Sequence, residues 1–301
     1  MQGHPVAQFN YASVLYNGDG GERNLEQARK FYKESANQEY ALAQLNYANM
    51  LILGVGGEKN LEQARKFYKE SANQGNPTAQ FNYAKMLYFG EGGEKNIEQA
   101  RNFFKESANQ GNAIAQFNFA VMLANGVGGE KNLEQARHFY GESANQGYLL
   151  AQLNYAVMLI NGEGGEKNIE QARYFFRESA NQGNATAQLY YAQMLKNGEG
   201  GEKSLEQARN FYRESANQGI ENAQLNYGTM LYKGEGGEKN LEQARHFFRE
   251  SANQGNAIAQ YNYGIMLING EGGEKDLNLA KEYFTRAANQ GHKEAKKYLS
   301  N

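Results

Sequence analysis

Apart from glutamates, which are many but recur at loop and solvent positions, the residues able to support catalysis are few and lie far apart. The chain has no cysteine, which excludes thiol nucleophiles, disulfides and cysteine-bound zinc or iron–sulfur sites. Its two aspartates are Asp19 and Asp276, and no spacing suggests a Ser-His-Asp arrangement. Its histidines are His4, His138, His246 and His292. The sequence therefore predicts a non-enzymatic protein with no cofactor and no metal.

The glycine-rich segment Gly200–Ser204 superficially resembles a phosphate-binding loop. It lacks the spacing Gly-x-x-x-x-Gly-Lys-Ser/Thr, and it follows a predicted helix where a phosphate loop follows a strand. We therefore interpret it as a turn.

Charge and hydropathy limit the kinds of partner that the chain is expected to bind. The chain carries 31 Lys and Arg against 33 Asp and Glu, without the basic surplus that nucleic-acid binding requires. It contains no apolar run long enough to span a bilayer and no basic-then-apolar leader at its start. These features predict no nucleic-acid binding and no membrane insertion, and they slightly favour a cytoplasmic location.

One unit recurs every 36 residues and positions all other features. An Ala-Gln pair begins each copy, at Ala7, Ala43, Ala79, Ala115, Ala151, Ala187, Ala223 and Ala259. A fixed period of this length is typical of repeat architectures. We predict one domain over 1–301, with repeats 7–42, 43–78, 79–114, 115–150, 151–186, 187–222, 223–258 and 259–294 and a C-terminal capping helix at 292–301.

The third unit shows that each repeat is a helical hairpin. Asn76 and Pro77 suit a helix start and Gly90 a helix end, so a first helix is predicted over 77–89. Asn96, with Gln99 in a capping-box position, begins a second helix that ends at Gly111.

Helical spacing separates core from solvent in both helices. The first helix places Ala79, Tyr83, Met86 and Leu87 on one arc, extended by Ala84, and Thr78, Phe81, Lys85, Tyr88 and Phe89 on the other. The second helix has an apolar stripe, in which Phe103 is expected to be core: Ile97, Ala100, Phe103, Phe104, Ser107 and Ala108. Its opposite face is predicted to be solvated: Glu98, Arg101, Asn102 and Lys105.

This pattern resembles Sel1-like repeats, relatives of the tetratricopeptide repeats. The matching positions in the third unit are Ala79, Gln80, Ala84, Gly90, Gly92, Ala100, Phe103, Phe104, Ala108 and Gly111. The chain departs from the usual residues at Tyr83, Leu87, Gly93, Asn96 and Phe103. The resemblance implies an all-α, right-handed α-solenoid whose first helices line a concave face, and an adaptor role in binding other proteins.

Positions that vary between repeats indicate where a partner could bind. Three varied rows share one face of the first helices: a first row from Ser13 to Ile265, a second from Tyr16 to Ile268 and a third from Asn17 to Asn269, each at 36-residue steps. We interpret this face as a recognition surface for a peptide or a partner's helix; the alternative is packing between repeats. The varied candidates are Lys85, Tyr88, Phe89, Val121, Val157, Ile160 and Tyr232.

A nearly invariant asparagine row lies beside these positions. Its members include Asn46, Asn82, Asn118 and Asn154, and Tyr190 interrupts it. Side-chain amides can bind an extended peptide backbone, although a purely structural hydrogen bond fits equally well. The fixed Gln80 and its equivalents lie nearer the core and favour a structural hydrogen bond.

Three functions remain open from the sequence. The favoured one is a scaffold for another protein or peptide, and the alternatives are a hydrolase-type enzyme on this scaffold and an architectural spacer. The first repeat also lacks a polar cap, which suggests weak self-association through its exposed apolar surface.

Overall fold

The protein is described by a computed structural model over residues 3–299. Those residues form helices and no strand, which confirms the all-α class. The helices are α1 (Pro5–Asn17), α2 (Leu25–Ala36), α3 (Ala41–Leu53), α4 (Leu61–Asn73), α5 (Pro77–Phe89), α6 (Ile97–Asn109), α7 (Ala113–Asn125), α8 (Leu133–Asn145), α9 (Leu149–Asn161), α10 (Ile169–Asn181), α11 (Ala185–Asn197), α12 (Leu205–Asn217), α13 (Glu221–Lys233), α14 (Leu241–Asn253), α15 (Ala257–Asn269), α16 (Leu277–Asn289) and α17 (Lys293–Lys297).

Backbone contacts group the chain into two compact units. Unit 1 comprises Met1–Ala151 with Glu163–Gly165, and unit 2 comprises Gln152–Gly162 with Glu166–Asn301. Within each unit, a first helix packs on the second helix of its own repeat, and that second helix packs on the first helix of the next repeat. Stacking of helical hairpins therefore buries the stripes that a single hairpin would leave exposed.

The hairpins begin and end where local chemistry dictates. Gly90 ends α5 in the left-handed conformation with φ of 76°, and Asn96 begins α6 by accepting a hydrogen bond from the Gln99 backbone N–H. The predicted capping box is incomplete, because the Asn96 N–H donates to the Leu87 carbonyl at 2.9 Å. That bond ties the start of each second helix to the first helix of its own repeat.

The predicted core arc of the first helix is confirmed. Ala79, Tyr83, Ala84 and Leu87 are buried in α5, as is Met86. In α6, burial separates two adjacent aromatic residues: Phe104 is 4% exposed, whereas Phe103 is only half-buried.

The placement of Phe103 in the core was therefore wrong. Its ring lies edge-on to Tyr83, with the ring centroids 4.9 Å apart, at the margin of the hairpin. The equivalent Phe67 and Phe175 are buried in their own repeats. Burial at this position thus depends on the repeat in which it occurs.

The prediction that Arg101 is solvated was also wrong. Its guanidinium donates to the carbonyls of Val127 at 3.0 Å and Glu130 at 2.7 Å, both in the loop of the following repeat. The same pair of bonds recurs from Arg29, Arg65, Arg173, Arg209 and Arg245. This arginine therefore fixes the loop of the next hairpin.

Close packing of that loop explains the glycine at position 93. A Cβ on Gly92 would lie 2.2 Å from the Leu61 carbonyl oxygen, and one on Gly93 would lie 3.1 Å from Arg65 Nη1. Gly92 also has φ of 67°, which disfavours side chains. A side chain at position 93 would therefore crowd the guanidinium of Arg65.

The first repeat exposes residues whose equivalents are core elsewhere. Tyr11 is 48% exposed whereas Tyr47 is 3% exposed, and Val14 is exposed whereas Met50 is buried. Self-association through this surface stays a prediction. At the other end, Tyr298 follows α17 and stacks on Phe284 at 4.6 Å; the last two residues of the predicted capping helix lie outside the described residues.

None of the helices described over 3–299 combines the length and apolarity needed to cross a bilayer.

Candidate functional site

One straight stripe of each first helix faces away from the core. In α5 it consists of Thr78, Asn82, Lys85 and Phe89, which are spaced i, i+4, i+7 and i+11 and so share a helix face. We call the equivalent residues of all first helices the groove stripe. The stripe contains the asparagine row and the first and third varied rows, while the second varied row, at Tyr88 and its equivalents, lies along its edge.

The structure adds a row that the sequence analysis did not select. It precedes each Ala-Gln pair and includes Val6, Leu42, Ile114, Leu150 and Ile258, all large, apolar and exposed. Variation between repeats could have identified this row, because other repeats have Thr78, Thr186 and Asn222 at the same position. We call it the leading row.

In unit 1 the candidate residues retain different amounts of accessible surface. Phe89 is 62% exposed and its neighbour in the same row, Leu53, is 70% exposed. Lys85 is also exposed, whereas the remaining unit 1 candidates are half-buried: Asn46, Asn82, Tyr88, Asn118 and Val121. Tyr88 is held by neighbours, since its ring lies edge-on to Phe89 at 5.1 Å and 5.6 Å from Lys95 Nζ.

A groove of about 330 Å³ lies between α1 and α3 in unit 1. It brings Asn46 together with all three varied rows of the first repeat. The lining residues are Ser13, Tyr16, Asn17, Tyr32, Asn46, Asn49, Met50, Leu53 and Val55.

Some residues of the first varied row also contact the aromatic core. Asn49 Oδ1 accepts a hydrogen bond from the Tyr68 hydroxyl at 2.6 Å, and Ser13 Oγ lies 2.9 Å from the Tyr32 hydroxyl. Burial also raises the pKa of the Tyr68 hydroxyl well above its usual value. Part of the variation in this row therefore has a structural cause.

In unit 2 the candidates Asn154, Val157, Ile160 and Tyr232 are half-buried. A groove of about 380 Å³ occupies the position equivalent to that of unit 1, and Tyr298 contributes to its wall. The lining residues are Thr229, Tyr232, Lys233, Phe248, Tyr261, Asn262, Ile265, Met266 and Tyr298.

The second varied row contacts the loop of the next repeat in unit 2. The Tyr232 hydroxyl donates to Glu271 Oε1 at 3.4 Å, and Lys196 Nζ lies 3.2 Å from Glu235 Oε2. Burial and then the hydrogen bond to Glu271 raise the pKa of Tyr232. Polar partners therefore occupy part of this groove edge.

The two fixed amide rows differ in their bonding. Gln80 is buried, and its Nε2 donates to the Ala72 carbonyl and to Glu106, which confirms the structural hydrogen bond predicted for it. By contrast, Asn46 and Asn82 make no side-chain hydrogen bond to any described residue. Asn118 donates to the Ile114 carbonyl of its own helix, which leaves its side-chain oxygen available.

Within residues 3–299, no three His, Asp or Glu side chains are grouped so as to hold a metal ion. His138 and His246 each pack edge-on to the phenylalanine that follows, on exposed second-helix surface.

Comparison with known proteins agrees with this architecture. A sequence model described as Sel1 repeat matches residues 5–40, 41–76, 77–112, 113–148, 149–184, 185–220, 222–256 and 257–292. Among proteins with curated functions, no relative matches the chain.

Two solved structures resemble the chain over nearly its whole length. One is c5321, a protective antigen of uropathogenic Escherichia coli with an SLR fold, which is 32% identical in sequence. The two structures align with a TM-score of 0.82, and the alignment covers 99% of this chain and 64% of the c5321 chain. This chain thus spans somewhat less than two thirds of that relative. The other is a Sel1 repeat protein from Oxalobacter formigenes, which is 23% identical in sequence. The two structures align with a TM-score of 0.67, and the alignment covers 98% of this chain and 86% of that protein's chain.

Proposed function

We infer that this chain, which belongs to the Sel1 repeat family, is a protein-interaction scaffold that binds a segment of its partner along the groove stripe. Sel1 and related repeat proteins are generally interaction scaffolds, and typically non-catalytic ones. The further step, from the family to this particular surface, is our proposal.

The observation that carries the proposal is the exposure of large apolar side chains on the groove stripe. Leu53 and Phe89 occur in adjacent repeats and leave most of their surface in water, while the core arc of the same helices is buried. Clustered exposed apolar residues in a groove are typical of protein-binding surfaces.

Unpaired amides support the same surface. Asn46 and Asn82 each offer a donor and an acceptor that no described residue uses. Since a mid-helix asparagine disfavours the helix slightly, the presence of Asn46 and Asn82 without an internal partner is consistent with selection for contact with another molecule.

The test is selection of peptides from a random displayed library on the full chain. Peptides enriched on the wild type are then measured against the double variant Leu53→Ser, Phe89→Ser, which changes the two most exposed residues of the groove stripe. The control is Tyr174→Ser, since Tyr174 is an exposed aromatic on a second helix. We expect the double variant to lose about tenfold or more in affinity and the control to lose none.

Two results would contradict this function. Failure to enrich any peptide would favour the architectural spacer. Binding that the control and the double variant affect equally would place the partner on another surface. Circular dichroism of both variants checks that each remains folded.

A further inference from the structure

We propose that two grooves beside the first helices, one in each unit, each bind an aromatic side chain of the partner, phenylalanine or tyrosine, stacked on a buried ring at the groove floor. This inference rests on the proposed function and names the kind of partner residue that the site accepts. It comes from a comparison of equivalent repeats, because in one repeat the chain places a tyrosine of its own in this position.

The buried ring belongs to the eighth residue of each second helix, which we call the floor ring. In α10 the floor ring is Phe176, which is fully buried. Tyr190 of the following first helix is stacked on it, with the ring centroids 5.1 Å apart and the ring planes 27° apart. Tyr190 interrupts the asparagine row and is 39% exposed, so it covers the floor ring from the groove side.

A second tyrosine in unit 2 repeats this arrangement. Tyr298 falls at the same position of the repeat as Tyr190, and its ring is stacked on the floor ring Phe284 with the planes 14° apart. Phe284 also contacts Tyr261 of its own hairpin, in a tilted arrangement with the centroids 5.9 Å apart. A floor ring therefore accepts a tilted neighbour from its own hairpin and a stacked neighbour from the groove side.

The unit 1 groove between α1 and α3 has the tilted neighbour and leaves space for the stacked one. Its floor ring is Tyr32, against which Phe9 is tilted at 5.6 Å. This groove has Asn46 at the position that Tyr190 occupies in α11, and both Asn46 and Tyr32 line its volume of about 330 Å³. A cavity of about 150 Å³ accommodates benzene, so the groove has room for a phenyl or phenol ring.

The unit 2 groove has the same construction. Its floor ring is Phe248, against which Tyr232 is tilted at 6.4 Å. Asn262 again stands at the position of Tyr190, and it lines the groove of about 380 Å³ together with Phe248. The small amide thus leaves a ring-sized space above the floor ring in this unit as well.

The lining favours an aromatic partner residue over a charged one. The described residues that line the unit 1 groove are all uncharged, so they offer no counter-charge to an ionised side chain. Met50 and the exposed Leu53 add apolar surface to the wall. An offset-stacked aromatic pair is stabilised beyond the apolar area that it buries, which an aliphatic side chain on the same floor would not gain.

The experiment uses the full chain with isotope-labelled methionine methyl groups and the probe N-acetyl-phenylalaninamide. Met50 lines the unit 1 groove, Met266 lines the unit 2 groove, and Met194 lies at the same position of the repeat that contains Tyr190. A bound ring shifts the NMR signals of nearby methyl groups through its ring current. We expect the probe to shift the signals of Met50 and Met266 and not that of Met194. The comparison probe N-acetyl-leucinamide has no ring and should bind more weakly.

Filling a groove should remove its response. Asn46→Tyr gives α3 the residue that α11 already has, so the Met50 shift should be lost while the Met266 shift remains. The matched control is Asn102→Tyr, because Asn102 is exposed on a second helix at the position of Tyr174 in α10. This control should leave both shifts unchanged.

Opening the filled groove should create a response. Tyr190→Asn removes the ring that covers Phe176, so Met194 should now shift when the probe is added. This variant tests the proposal independently if Asn46→Tyr proves to be misfolded by circular dichroism.

The proposal is overturned by equal responses to the two probes, by no shift of Met50 and Met266, or by a Met50 shift that persists in folded Asn46→Tyr. Library selection separates these failures from failure of the proposed function. Enriched peptides that lack aromatic residues and still depend on Leu53 and Phe89 would leave the scaffold function standing and overturn the aromatic anchor. Methionine shifts as expected, with no peptide enriched, would support the aromatic site and contradict the scaffold function.

Discussion

The two faces of the first helices differ in how closely their sequences repeat, and burial explains the difference. In α5 the core arc of Ala79, Tyr83 and Leu87 is buried and recurs with little change. The groove stripe of the same helix is accessible and changes from repeat to repeat. Close packing limits which residues fit on the core arc, whereas the groove stripe faces solvent and has no such limit.

The largest expected difference in stability is between truncation of a buried phenylalanine and truncation of an exposed phenylalanine on the groove stripe. Phe104→Ala removes a buried ring and should lower the free energy of unfolding by about 3–5 kcal/mol. Phe89→Ala removes an exposed ring and should change it by less than about 0.5 kcal/mol. Urea unfolding followed by circular dichroism measures both. Comparable losses would mean that the groove stripe is part of the core.

Arg65 recurs between repeats although it does not belong to the apolar core. Arg65→Ala removes bonds to the carbonyls of Glu91 and Glu94 and should cost about 1–2 kcal/mol. Amide hydrogen exchange should also accelerate in the loop over 90–95. The exposed Lys69 of the same helix is the control, and Lys69→Ala should change neither quantity measurably. An unchanged loop in Arg65→Ala would show that the repetition of this arginine has another cause.

Glu39 should lower the free energy of unfolding slightly, and replacing it with glycine should restore that free energy. Glu39 has φ of 61° where the other repeats have glycine, as at Gly75 and Gly111. Glu39→Gly should raise the free energy of unfolding by up to about 1 kcal/mol, because glycine adopts this conformation without steric cost. The control Glu58→Gly introduces glycine where φ is not positive and should not stabilise. Equal effects of the two substitutions would argue against strain at Glu39.

Local elements were predictable in detail because their determinants are local. The sequence placed α5 at 77–89, and the structure has Pro77–Phe89, since a cap, a proline and a terminal glycine act within one turn. The direction of the varied rows followed from helical spacing in the same way. The leading row was not selected, because its position in the first turn of each first helix does not by itself show how much of each side chain stays exposed.

The repeat, the helix bounds, the core arc of the first helices and the family all follow from the order of residues along the chain. The burial of Phe104 in place of Phe103, the bonds from Arg101 to the next loop, and the contact between Gly93 and an arginine follow from tertiary packing. Those facts depend on where the following hairpin stacks. Helical spacing gives the direction of a side chain, but contact with a group some 26 residues away requires the packing of two hairpins.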